Sequence, residues 1–213
     1  MSRQTSQINA EEYRRDFVVV GASAGGIEAL RKIFSRLPAN FPAVIAVVLH
    51  RSPFFVASDL PWVLSIRTPH TIVEPGNAEP MKTGRIYVAP RDHHLVIDDG
   101  RFCVNRGPKQ HFTRPAIDPL FLSAAQNYGR RVVGVILSGG GDDGVDGLLA
   151  IKAAGGLSIA QDPAEAKHPP MPHSAILFDH VDLVLPAEAI ADILLKLASG
   201  EMVPRVPRRI SRN

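Results

Sequence analysis

Apolar residues in this chain fall into two alternating patterns. Short uninterrupted runs of Val, Ile and Leu predict strands buried on both faces, and stretches with apolar residues three and four apart predict helices packed on them. Phe17 to Val20 is the first such run and closes at Gly21. From Gly26 the pattern becomes helical, with Ile27, Leu30, Ile33, Phe34 and Leu37 on one face and Pro38 as the stop. Ala43 to Leu49 predicts a second strand. Ser52-Pro53 has the order of an N-cap followed by proline in the first helical position, which predicts a helix ending or kinking near Pro61.

Residues 71–105 read differently. Short runs (TIV, RIYVA, HLVID, RFCVN) are separated by Pro-Gly, Thr-Gly and Asp-Asp-Gly, which predicts antiparallel hairpins. The strand and helix alternation then resumes. Helices are expected over Asp118–Tyr128, Asp143–Ala154, Met171–Phe178 and Pro186–Ala198, and strands over Arg131–Leu137, Leu157–Gln161 and Val181–Leu185. The whole predicts an α/β fold: a doubly wound, mostly parallel sheet with helices on both faces and an antiparallel hairpin excursion near residues 71–105.

Composition narrows this further. A chain of 213 residues that is 45% hydrophobic and 21% charged is that of one globular unit, not of a disordered or collagen-like chain. Its single Cys excludes an internal disulfide. The net charge of +3 suggests nucleic acid until it is located. Residues 204–213 hold Arg205, Arg208, Arg209 and Arg212 and no acid, so the rest is near neutral and the excess belongs to a tail. The expected organisation is an N-terminal extension over 1–16, one domain over 17–200 and a basic tail over 201–213. No apolar run is long enough to span a bilayer, and the N-terminus lacks the apolar core of a secretory signal, so a cytoplasmic protein without membrane insertion is expected.

Candidate chemistry lies where strands end. Gly21-Ala22-Ser23-Ala24-Gly25-Gly26 joins a predicted strand to a predicted helix. A dinucleotide-binding turn needs Gly where Ser23 stands, and the second strand ends in His50 instead of a ribose-binding acid. The same residues fit Gly-x-Ser-x-Gly, in which a tight turn presents a serine hydroxyl above the sheet. The plainer alternative is a capping serine in a structural or phosphate-binding turn. A serine nucleophile needs a base, and His50 follows the second strand on the same sheet edge. After the strand VVGVIL comes Ser138-Gly139-Gly140-Gly141-Asp142-Asp143-Gly144-Val145-Asp146, with three acids available for orienting an imidazole. A cation loop is the competing use of these acids, but the twelfth residue from Asp142 is Ala153, where an EF-hand needs Glu. Ser23, His50 and Asp143 thus stand at the ends of three predicted parallel strands. Their chain order of Ser, His, Asp is not that of the α/β-hydrolases. The remaining histidines, including His93-His94 and His168/His173, form no ligand set, so no metal and no cofactor are expected.

These segments together resemble the catalytic domain of the chemotaxis protein-glutamate methylesterases (CheB-type). The resemblance runs from about Val18 to Leu197 and rests on VVVGASAGGIEAL, AVVLHRSP, YVAPRDHHL, RPAIDPLF, VGVILSGGGDDGVDGL, AQDPAEA and MPHSAI. It implies Ser23 as nucleophile, His50 as base and Asp143 as orienting acid, with Asp142 in a variable position. It further implies hydrolysis of γ-glutamyl methyl esters on chemoreceptor cytoplasmic domains, and in many members deamidation of glutamines there. Ala24 stands where the family commonly has Thr, and Gly140 where it has Met; the backbone amides of Ala24 and Gly140 are the implied oxyanion donors. Ser52 lengthens the usual His-x-Pro, and Pro170 and His173 replace Gly and Arg. Relatives often carry an N-terminal receiver domain. Sixteen residues before the first predicted strand are too few for one, so the expectation is that the domain either acts unregulated or is controlled by a separate regulatory protein. The alternatives are a sensory adaptor of the same fold that has lost catalysis and, more remotely, a dinucleotide-binding protein.

Overall fold

A computed structural model of the protein describes residues 13–51 and 59–203. Seven parallel strands form one sheet in the order β3-β4-β2-β1-β7-β8-β9. These are β1 (Phe17–Ala22), β2 (Val44–Leu49), β3 (Thr71–Val73), β4 (Arg85–Val88), β7 (Val132–Ile136), β8 (Leu157–Gln161) and β9 (Leu183–Leu185). A separate antiparallel hairpin pairs β5 (His94–Asp98) with β6 (Arg101–Asn105).

Every residue of β1, β2 and β7 is buried, as their unbroken apolar runs require. Alternate residues serve opposite faces. Val18 and Val20 pack with α1 (Gly26–Arg36), α2 (Leu60–Ser65) and α6 (Ala187–Ala198), through Leu30, Ile33, Leu64, Ile190 and Leu194. Phe17 and Val19 pack on the other face with α3 (Ile117–Tyr128), α4 (Val145–Ala153), α5 (Pro170–Ser174) and the hairpin. This is the expected doubly wound arrangement. A π-helical turn, Ala175–Asp179, continues α5.

Two local expectations are corrected. The antiparallel excursion is confined to β5 and β6, whereas Thr71–Val73 and Arg85–Val88 are parallel strands on the sheet edge. Ile86, Tyr87 and Val88 are buried, and β4 hydrogen-bonds to β2, so burial on both faces outweighs the intervening turn residues. Residues 74–84 are a crossover, not a hairpin turn. Pro61 begins a helix instead of ending one. Asp59 Oδ1 accepts the Trp62 N–H at 3.2 Å, and Pro61 occupies the first turn, where a missing N–H costs nothing. The expected cap at Ser52-Pro53 lies outside the described residues.

Candidate active site

The site lies at the carboxyl edge, where β1 has β2 on one side and β7 on the other. Connections from β1 and β7 leave toward opposite faces, opening a crevice there. Ala22 is paired with Leu49, so Ser23 and His50 are the next residues on adjacent strands. The His50 N–H donates to Ala22 O at 2.9 Å, fixing that register beyond the last pair. On the other side the Ser23 N–H donates to Ser138 O at 3.0 Å, and Ser138 Oγ donates to Ala24 O at 2.8 Å. The serine turn is therefore sewn to the glycine-rich loop after β7.

Close packing explains the glycines here. A Cβ on Gly139 would lie 2.8 Å from both Ser23 Cβ and Met171 Sδ. Gly25 adopts φ 77°, and a Cβ there would come within 2.6 Å of Ser138 Oγ. A side chain at either position would push the two loops apart.

His50 Nε2 lies 2.7 Å from Asp143 Oδ2. An ionised carboxylate only accepts, so Nε2 carries the hydrogen and Nδ1 keeps a lone pair. Asp143 precedes α4 in the chain but caps α3: its Oδ2 accepts the Ile117 N–H at 2.8 Å and its Oδ1 accepts the Asp118 N–H at 3.0 Å. Burial alone would raise the Asp143 pKa, but the hydrogen bonds from His50 and these two amides hold it below the ordinary carboxylate value. Ser23, His50 and Gly140 line one cleft of about 420 Å³, which a larger cleft of about 1150 Å³ adjoins at Ser23 and His50. No hydrogen bond joins Ser23 Oγ to His50 among the described residues. The N–H groups of Ala24 and Gly140 have no backbone carbonyl partner among the described residues, whereas those of Ser23 and Gly139 donate to Ser138 O and His168 O.

Several residues of the site carried no signal strong enough to find them in the sequence. Asp118 is expected only as a helix start, yet its buried Oδ1 accepts the Gly147 N–H of α4 at 2.8 Å. Burial pushes the Asp118 pKa up, and the nearby Asp143 charge adds to this. His111 Nε2 pairs with Asp118 Oδ2 at 3.0 Å, and Thr113 Oγ1 lies 3.4 Å from His50 Nε2. His111, Asp118 and Asp143 have ligand-type atoms within 4.8 Å of one another. Their carboxylate oxygens already accept N–H donors, so the cluster is a hydrogen-bond network. Only RPAIDPLF, which contains Asp118, pointed to this region.

The chain matches the CheB methylesterase family over residues 18–194. It belongs to that family. Among its relatives, "Protein-glutamate methylesterase/protein-glutamine glutaminase 2" of Anaeromyxobacter dehalogenans is 40% identical over 88% of this chain and 55% of its own length. A "Putative protein-glutamate methylesterase/protein-glutamine glutaminase" of Leptospira interrogans is 39% identical over 88% of this chain and 97% of its own. The chain thus spans about half of one relative and nearly all of another. The Thermotoga maritima CheB methylesterase catalytic domain superposes with a TM-score of 0.81 at 37% identity, covering 85% of this chain and 98% of that one. Within this CheB-type fold, no helix among the described residues is long and apolar enough to cross a membrane.

Proposed function

We propose that residues 17–200 form a serine esterase that hydrolyses γ-glutamyl methyl esters on the cytoplasmic helices of chemoreceptors, with a cytoplasmic location to match. The observation that carries this reading is the His50 Nε2 to Asp143 Oδ2 bond at 2.7 Å, with Ser23 following the neighbouring paired strand. It is supported by family membership and by the names of the relatives.

In this mechanism Ser23 Oγ attacks the ester carbonyl carbon as His50 Nδ1 takes its proton. Asp143 accepts from Nε2 and stabilises the imidazolium. The amides of Ala24 and Gly140, without a carbonyl partner among the described residues, receive the oxyanion; each such donor contributes roughly 10²–10³ in rate. As the C–O bond of the leaving group breaks, His50 returns the proton and methanol departs. Water then attacks the acyl-serine, losing a proton to His50, and glutamate and Ser23 are regenerated. Deamidation of glutamine follows the same course with ammonia as the leaving group. Ala24 in place of the commonly bulkier residue leaves the backbone donor intact and changes only the shape beside it.

Replacing Ser23 by Ala is expected to lower methanol release from a methylated receptor by roughly 10³-fold or more, with an unchanged circular dichroism spectrum. Undiminished turnover would sink the assignment. A second reading, a non-catalytic adaptor, draws on the missing Ser23–His50 hydrogen bond; labelling of Ser23 by a fluorophosphonate would rule it out. Apo geometry at such sites is often loose and tightens with substrate.

A further inference from the structure

At the mouth of the cleft a tight turn carries His111 and Phe112 at its tip. It is closed by the Gln110 N–H to Thr113 O at 3.1 Å and the Thr113 N–H to Gln110 O at 2.8 Å. Both tip residues have positive φ, 47° for His111 and 60° for Phe112, the geometry that ordinarily selects Asn-Gly. Bulky side chains at such angles persist only when the surroundings enforce them. Here His111 supplies the enforcement, through Nε2 to Asp118 Oδ2 at 3.0 Å and Nδ1 to Asp142 Oδ1 at 3.4 Å. The turn is thereby fastened to the same network that holds Asp143.

The product of this strain is an aromatic ring that is 96% exposed. Phe112 borders the cleft that contains Ser23, His50 and Gly140, and none of the described residues covers it. A small ester would be held inside the cleft; a ring standing outside it extends contact to a larger body. The lining of the two clefts also has a sign: seven Lys and Arg side chains face one lining acid, Glu28. Lys32, Arg51 and Arg114 are paired with acids outside the lining, whereas Arg31, Arg67, Lys109 and Lys167 have no ion pair among the described residues. An exposed aromatic beside Lys109, at the mouth of clefts whose unpaired lining charge is positive, fits a folded protein segment rich in carboxylates.

We propose that Phe112 is a specificity-determining anchor, which buries its ring against an acidic helical protein segment and so delivers that segment's ester to Ser23. This rests on the esterase reading for the reaction, though the anchoring can be measured without it. A labelled cytoplasmic fragment of a chemoreceptor is titrated with Ser23→Ala protein, with and without Phe112→Ala, and p-nitrophenyl acetate turnover is measured in the Ser23 background. Phe112→Ala is expected to weaken fragment binding by at least about tenfold while changing kcat/KM for p-nitrophenyl acetate by less than about threefold. Phe112→Leu, which keeps an apolar contact, is expected to recover most of the binding. Binding within about twofold of the parent in Phe112→Ala would overturn the proposal. An equal loss on both readouts would also overturn it, since that marks a turn needed only for the cleft. If the parent protein fails to hydrolyse p-nitrophenyl acetate, the esterase reading falls, and the binding titration still decides the anchor.

Discussion

Both oxygens of Asp143 are committed to donors, Oδ2 to His50 and the Ile117 amide and Oδ1 to the Asp118 amide. The carboxylate therefore cannot rotate away, and the imidazole it holds keeps its hydrogen on Nε2. Asp143→Asn puts an amide in this place, which can accept from His50 only with one face and invites the wrong tautomer. We expect kcat to fall roughly 10³–10⁴-fold with KM little changed. A loss confined to KM, measured by steady-state kinetics on a methyl ester, would remove Asp143 from the reaction. Ser23 and His50 were legible as a pair from strand ends alone. Among three neighbouring acids Asp143 is the expected third member, which the family resemblance also implies, but strand ends alone give no reason to prefer it, because Asp142, Asp143 and Asp146 differ only in where the backbone aims them. Asp142 is exposed and so is Asp146, in the first turn of α4, while Asp143 alone is buried against His50.

Helices α3 and α4 hold each other by exchanged carboxylates. Asp143, just before α4, accepts the first amides of α3; Asp118, in the first turn of α3, accepts the Gly147 amide of α4. Each satisfies donors that a helix start leaves open. Asp118→Ala leaves the buried Gly147 N–H without its acceptor and is expected to destabilise the fold by about 1–3 kcal/mol, read by chemical denaturation. Stability equal to the parent would show that another acceptor replaces it. Gly139→Ala tests the other seam of the site. Its Cβ would press on Ser23 Cβ and Met171 Sδ, both at 2.8 Å, so a cost of about 1–3 kcal/mol is expected, with a fall in esterase kcat from displacement of Ser23. A melting temperature and kcat both at the parent level would show that the loops have slack. The sequence marked these positions as glycine-rich turns but gave no sign of the partners across them, since the partners are far away in the chain.

The molecule as a whole answers acid through groups of opposite sign. Asp143 and Glu165 have depressed pKa values: burial would raise both, but it is outweighed by His50 and two amides for Asp143, and by Lys32, the Ala187 amide and Gln161 for Glu165. Asp118 and Asp179 are raised, chiefly by burial. A depressed acid adds stability that is complete above its unfolded pKa, about 3.9 for Asp, and is lost as pH falls through the lower folded value. A raised acid does the reverse. Between about pH 5 and pH 3, unfolding free energy is therefore expected to decline less steeply in Asp143→Asn than in the parent. Urea denaturation across that range measures it, and identical slopes would show that Asp143 contributes nothing there.

Read from end to end, the sequence by itself determined the layered α/β fold. Unbroken apolar runs can be satisfied only by strands covered on both faces, and α1 and α6 supply the cover on one face and α3 and α4 on the other. It also determined that Ser23 and His50 share an edge, because consecutive parallel strands expose their ends on the same side. Its local signals misplaced β3 and β4, since turn residues such as Pro75-Gly76 look alike in a hairpin and in a crossover. Only the tertiary structure decided that β7 lies beside β1, that Asp143 reaches back to cap α3 while holding His50, and that His111 pins an exposed Phe112 over the cleft. Those outcomes depend on pairings between residues distant along the chain, where burial and hydrogen-bond satisfaction, not local pattern, select the partner.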